Sequence, residues 1–147
     1  MNTYTLLFYR AFNNPTATIL DQLIATIDGG QFSHVEIIES SDNMNEVRTI
    51  GCHAVRGGVT RGYYDLKKSA CEIIVIESDA DPFGYFNRTF GQPYSYVGAA
   101  RTRWNWLPET KGHCCSSWLA RAFQLLQPEF YGVEDLRQWA LKKQIHK

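Results

Sequence analysis

Two adjacent thiols, Cys114 and Cys115, lie in the run Gly112-His113-Cys114-Cys115-Ser116-Ser117-Trp118-Leu119-Ala120-Arg121-Ala122-Phe123. Small hydroxyl residues follow them and lead into an amphipathic helix. A thiol at a helix N-terminus feels the positive end of the macrodipole, which favours thiolate over thiol. A thiolate is a nucleophile, and with a histidine in reach the pair has the chemistry of a hydrolase or acyl-transferase.

The chain holds four histidines. His34 lies in Phe32-Ser33-His34-Val35-Glu36-Ile37-Ile38, where strand alternation puts His34, Glu36 and Ile38 on one face and Val35 and Ile37 on the other. Residues two apart on a strand face have Cα atoms about 6–7 Å apart, within reach of an imidazole–carboxylate contact. The same pair also fits the polar, solvent-facing side of an antiparallel strand. His53 ends the strand returning from a hairpin and comes close to His34, as a rival base or a second polar partner. His113 is expected to point outward in a capping or surface role, and His146 falls in the tail and is set aside.

The elements that must position these groups follow from the pattern of the chain. Thr3 to Arg10 reads as a first strand. Asn14 as N-cap and Pro15 at the first helical position open a helix. Its apolar residues Ile19, Leu20, Leu23, Ile24 and Ile27 recur at helical spacing to about Asp28, where Gly29-Gly30 stops it. Ser33 to Glu39 is a second strand, residues 41–45 a polar turn, and Glu46 to His53 the returning strand. Arg56-Gly57-Gly58-Val59 is a glycine-permitted corner. Cys71 to Glu77 is a fourth strand whose continuous apolar run predicts a central position covered on both faces. Asp81-Pro82 opens a short helix through about Phe90, and Gly91-Gln92-Pro93-Tyr94 ends it. Ser95 to Lys111 reads as irregular, a helix runs from near Cys115 to about Leu126, and a last helix covers Val133 to Gln144 with Leu136, Trp139 and Ala140 buried. The expected architecture is α+β, a small antiparallel sheet with helices packed on it.

Composition bounds the function. A chain of 147 residues with 44% hydrophobic and 14% aromatic residues reads as one well-packed domain spanning 1–147. Fifteen basic and fifteen acidic residues, neither in long blocks, argue against nucleic acid or an anionic membrane as the main partner. No apolar run approaches the roughly 20 residues of a membrane span, and the N-terminus lacks the features of a signal peptide, so a cytoplasmic location is expected. Of the four cysteines, Cys52, Cys71, Cys114 and Cys115, none forms a C-x-x-C pair. Without a secretion signal and at this length disulfides are the weaker reading, zinc spacing is absent, and no cofactor or metal is expected.

Taken together, these segments resemble the NlpC-type papain-like hydrolase superfamily in its circularly permuted branch. Ordinary members carry Gly-x-Pro-Tyr, then Asp-Cys-Ser-Gly-Leu-Val opening a helix, and Gly91-Gln92-Pro93-Tyr94 precedes Cys115-Ser116-Ser117-Trp118-Leu119 in that order. The early histidine strand, Ser33-His34-Val35-Glu36-Ile37, matches the permuted branch. His34-Val35-Glu36-Ile37 followed by Ala54-Val55-Arg56-Gly57-Gly58-Val59 is similar to small bacteriophage-encoded members. The family places aliphatic residues three and four positions after its cysteine, which selects Cys115, followed by Trp118 and Leu119, over Cys114. Ser117-Trp118 departs from the usual Gly-Leu or Glu-Leu, so the helix is bulkier where it meets the sheet.

The resemblance implies a cysteine peptidase or amidase with Cys115 as nucleophile, His34 as base and Glu36 as the group that orients it. Some relatives place the third group on the neighbouring strand, which nominates His53 instead. Tyr94 matches the tyrosine that lines the substrate cleft, and equally suits a buried aromatic after a turn. Trp104 and Trp106 are candidates for a flap or for loop anchors. The expected partner is a peptide or acyl substrate. The alternatives are an acyltransferase or thioesterase-type enzyme, and a non-enzymatic interaction protein whose cleft is blocked by Trp118 or Trp104.

Overall fold

A computed structural model describes residues 1–41, 43 and 45–145. Asp42 and Met44 of the expected turn and His146 of the tail lie outside the described residues. The fold is α+β. Among the described residues, five antiparallel strands, β1 (Asn2–Arg10), β2 (Phe32–Ser41), β3 (Glu46–His53), β4 (Gly58–Asp65) and β5 (Cys71–Ser78), form one sheet in the order β4-β3-β2-β1-β5. The helices described with it are α1 (Ile19–Asp28), α2 (Pro82–Thr89), α3 (Tyr96–Arg101), α4 (Cys115–Ala122) and α5 (Val133–Lys143), with a 3-10 turn at Pro128–Phe130. Among the described residues, no helix is long and apolar enough to cross a membrane.

Alternation in the strands divides the interior in two. Tyr4, Leu6 and Phe8 of β1, Val35 and Ile37 of β2, Ile50 of β3 and Ile74 and Ile76 of β5 face one side, where Trp118 and Leu119 of α4 and Leu136 of α5 pack on them. Each such large apolar side chain, once buried, contributes about 1.5–3 kcal/mol. Leu7, Tyr9, Val47 and Tyr64 form a smaller apolar cluster on the other side. His34 stands opposite Tyr9 and Glu36 opposite Leu7 in the β1–β2 register, so the polar pair shares that second side.

Several expected boundaries shift. The first helix begins at Ile19, not at Asn14-Pro15, because Thr18 and Asp21 form a reciprocal capping box there. Asn14 is engaged elsewhere: its side chain donates to Arg10 O and accepts the Ala70 N–H, tying the loop to the start of β5. Gly29, in the left-handed conformation, ends the helix as expected. The apolar stripe of α1 is not core: Ala25 is its only buried residue, and Leu23 is 54% exposed.

Strand β4 has no counterpart in the sequence reading, because Thr60-Arg61-Gly62-Tyr63-Tyr64 carries too few aliphatic residues to announce a strand. The Arg56–Val59 corner turns as expected, through left-handed Gly57 and Gly58. Strand β5 lies at an edge of the sheet, not at its centre. Its apolar run is explained by α5 on one face and by the chain end, where the Ile145 N–H donates to Val75 O at 3.1 Å. Tyr96–Arg101 is helical within a segment expected to be irregular, held by Ser95 as N-cap. Helix α4 stops at Ala122, four residues short of Leu126, where Gln124 adopts a left-handed conformation.

Candidate active site

The thiol of Cys115 sits at the first turn of α4 against the backbone of the histidine strand. Strand β3 pairs with β2 only from Ile37, opposite Ile50, outward. Nearer its start, the β2 edge facing away from β1 is free of strand partners, and the N-terminus of α4 fills that gap. Cys115 Sγ donates to Ser33 O at 4.0 Å and receives the Val35 N–H. The sulfur therefore touches the two residues that flank His34.

Glu36, fully buried, is the hub of the polar side. Its Oε1 lies 3.0 Å from His34 Nε2 and accepts Arg56 Nη1 at 2.8 Å, and its Oε2 accepts the Thr49 hydroxyl. The His34 contact is close but off the line of an N–H bond, a polar contact rather than an aligned hydrogen bond. Burial alone would push the Glu36 carboxyl up. His34 and Arg56 outweigh that and hold it well below the usual carboxylate range. A solvent-facing pair is thus ruled out: His34 is 5% exposed and Glu36 0%.

Sequence reasoning did not single out Arg56, Thr49 or Gly51 here. A Cβ on Gly51 would stand 2.8 Å from Glu36 Cγ, so a side chain there would collide with the carboxylate arm. The available signal was Arg56 directly before two glycines, a charged residue at a corner that can fold back over the sheet.

His53 is placed beside His34, with ring centroids 4.3 Å apart in an edge-to-face arrangement. Its Nδ1 accepts the Val55 N–H at 3.1 Å. Burial, reinforced by the neighbouring His34 and Arg56, pushes it down to about 3. It is Glu36 that meets an imidazole nitrogen of His34, while His53 meets the ring. His113 does not point freely outward: its Nε2 pairs with Gln92 Oε1 at 2.6 Å, and burial pushes it down to about 4.

The two cysteines divide the helix start between them. Cys114 is the N-cap: its sulfur accepts the Ser117 N–H at 3.4 Å, while Ser117 Oγ receives the Cys114 N–H at 3.1 Å. Cys115 follows as the first helical residue, buried at 3% exposure. Burial, then the neighbouring Cys114, raise its thiol well above the ordinary range, outweighing the Val35 N–H. The expected thiolate is therefore not the resting form. Desolvation of the charged sulfur exceeds what one helix terminus and one N–H return. Among the described residues no group of three His, Cys, Asp or Glu side chains could hold a metal ion.

Tyr94 completes the site. The Gly91–Tyr94 segment is laced between β4 and the start of α4: the Val59 N–H donates to Gln92 O at 2.9 Å, and the His113 N–H to Pro93 O at 3.1 Å. Gly58 permits this approach, since a Cβ there would stand 2.0 Å from Gln92 O. Tyr94 lines both an apolar cavity of about 140 Å3 that holds Cys115 and a neighbouring groove of about 280 Å3 that holds His34 and His53. Trp118 fills neither. It is fully buried against Tyr85 and Phe86, with Nε1 donating to Thr89 Oγ1 at 2.9 Å. Trp104 and Trp106 are 44% and 78% exposed and line neither space. No protein-family model and no curated protein matches the chain.

Proposed function

We propose that the chain is a cysteine-dependent hydrolase of the circularly permuted NlpC-type papain-like kind, cleaving an amide or related acyl bond. The observation that carries this reading is the seating of Cys115, at a helix start, on the backbone edge of the strand that bears His34. Cys115 is the nucleophile, His34 the base and Glu36 the group that orients His34, with His53 packing the imidazole from the side.

Among the described residues no hydrogen bond joins Cys115 to His34, so in this reading Nδ1, the nitrogen away from Glu36, takes the thiol proton only once substrate is bound. Because burial favours the neutral thiol, proton transfer accompanies attack on the substrate carbonyl. The new S–C bond forms as the S–H proton passes to His34, and an imidazolium is stabilised by Glu36. The N–H of Cys115, in the first turn of α4 and without an intrahelical partner, is a donor for the oxyanion. His34 then returns the proton to the leaving group as the C–N bond breaks, and water releases the acyl group.

The test is an acyl-enzyme trap read by intact-protein and peptide mass spectrometry against a library of small amides and thioesters. The expected result is acyl mass on Cys115 in the wild type and in Cys114→Ala, absent from Cys115→Ala and His34→Ala. Acyl mass on Cys114, or none on either cysteine, overturns the proposal.

A further inference from the structure

We infer that the substrate is asymmetric: an apolar acyl-side group the size of a benzene ring enters the cavity beside Cys115, and a polar leaving group lies in the groove beside His34. This rests on the hydrolase reading above and adds the substrate class.

The two spaces differ in chemistry. The cavity beside the thiol is walled by Leu20, Leu23, Ile24 and Ile27 of α1 and by Val133 of α5. Its carboxylate, Asp28, is already engaged, accepting the Glu134 N–H at 2.9 Å, and burial raises its pKa. An acidic guest would meet that carboxylate, and any charged guest would lose its hydration among largely aliphatic walls. The groove beside the imidazoles is instead bordered by Thr18, Asp21, Ser33, Arg56 and Ser69. Leu20, Ile24 and Tyr94 belong to both walls, so the spaces are neighbours.

The reaction assigns each half of the substrate to a side. The acyl carbon stays on sulfur after the first step, so the acyl half occupies the thiol's cavity. The leaving nitrogen takes its proton from His34, so it departs on the imidazole side. Size then limits the acyl half. A volume of about 140 Å3 is close to the ~150 Å3 of an apolar cavity that admits benzene, and too small for a long acyl chain. The apolar stripe of α1 supports the same conclusion. Leu20, Leu23, Ile24 and Ile27 follow core spacing, yet none of them is fully buried and all four line this cavity.

The test uses chloromethyl ketones of N-acetylated Phe, Leu, Ala, Glu and Lys on the intact protein, with labelling of Cys115 followed by mass spectrometry. Attack of the sulfur on the methylene carbon forms the S–C bond of a thioether as the C–Cl bond breaks, releasing chloride and the thiol proton. The Phe and Leu reagents are expected to react at least about tenfold faster than the Ala, Glu and Lys reagents, and Ile27→Trp to erase that preference. In a second arm, toluene is titrated into Cys115→Ala and is expected to shift the Ile24 and Ile27 methyl resonances in NMR spectra. Labelling of Cys115 without preference, or faster labelling by Glu or Lys reagents, overturns this inference and leaves the hydrolase reading standing. Labelling of Cys115 by none of the reagents overturns both, whatever the toluene arm shows. Toluene shifts confined to residues away from the cavity overturn the pocket assignment.

Discussion

Glu36 Oε1 stands 3.0 Å from His34 Nε2 and 2.8 Å from Arg56 Nη1, so one buried carboxylate answers both an imidazole and a guanidinium. Neither contact is replaceable by water, since Glu36 is fully buried. Glu36→Ala is expected to destabilise the fold by about 3 kcal/mol, at the lower end for a broken buried pair because Arg56 keeps some solvent contact. Urea unfolding checks this. A loss below about 1 kcal/mol would mean that the Glu36 hub is not structural.

Stability should also fall on mild acidification. His53, pushed down to about 3 in the fold, is charged near 6.5 in the unfolded chain. Between those values the unfolded state binds the extra proton. The stabilising contribution is therefore complete above about pH 6.5 and is lost as pH falls toward 3, by at most about 1.4 kcal/mol per pH unit for this group. His113, lowered to about 4, acts in the same direction. Thermal melts from pH 7.5 to 4 measure the slope, and His53→Gln is expected to flatten it. An unchanged slope in that variant would contradict a neutral buried His53.

Resting Cys115 should resist small alkylating agents. Its thiol is raised by burial, so iodoacetamide at pH 7 is expected to label it slowly, with the rate climbing as pH rises through 9. His34→Ala should leave that slow rate unchanged, because among the described residues no hydrogen bond joins Cys115 to His34. Fast, His34-dependent labelling of the free protein would show a preformed thiolate–imidazolium pair instead.

Gly51→Ala is expected to cost about 1–3 kcal/mol, through overpacking against the Glu36 side chain, whose Cγ would lie 2.8 Å from the new Cβ. The same substitution should lower turnover through displacement of the carboxylate from His34. A neutral effect on both stability and turnover would show that the Glu36 arm relaxes freely.

How much of this was legible in the chain depended on the range of the interaction. The faces of β2 followed from strand alternation, and Gly29 as a helix stop followed from its freedom at positive φ. The α1 start was misplaced because Asn13-Asn14-Pro15 carries strong cap chemistry, while Thr18 and Asp21 form the cap that closes. Helix α4 looked longer than it is, because nothing in Phe123-Gln124-Leu125 forbids helix by composition.

By itself, the sequence determined which side chains carry a thiol, imidazole or carboxylate and which faces of local elements they occupy, because side-chain chemistry and backbone periodicity are local properties. It could not decide whether His34 and Glu36 meet water or protein. That depended on Arg56 folding back from a corner and on Gly51 and Thr49 across the strand pair. Nor could it decide the protonation of Cys115, where burial reverses the effect of the helix terminus. Only the tertiary structure settles that balance, because desolvation is a property of everything packed around the sulfur.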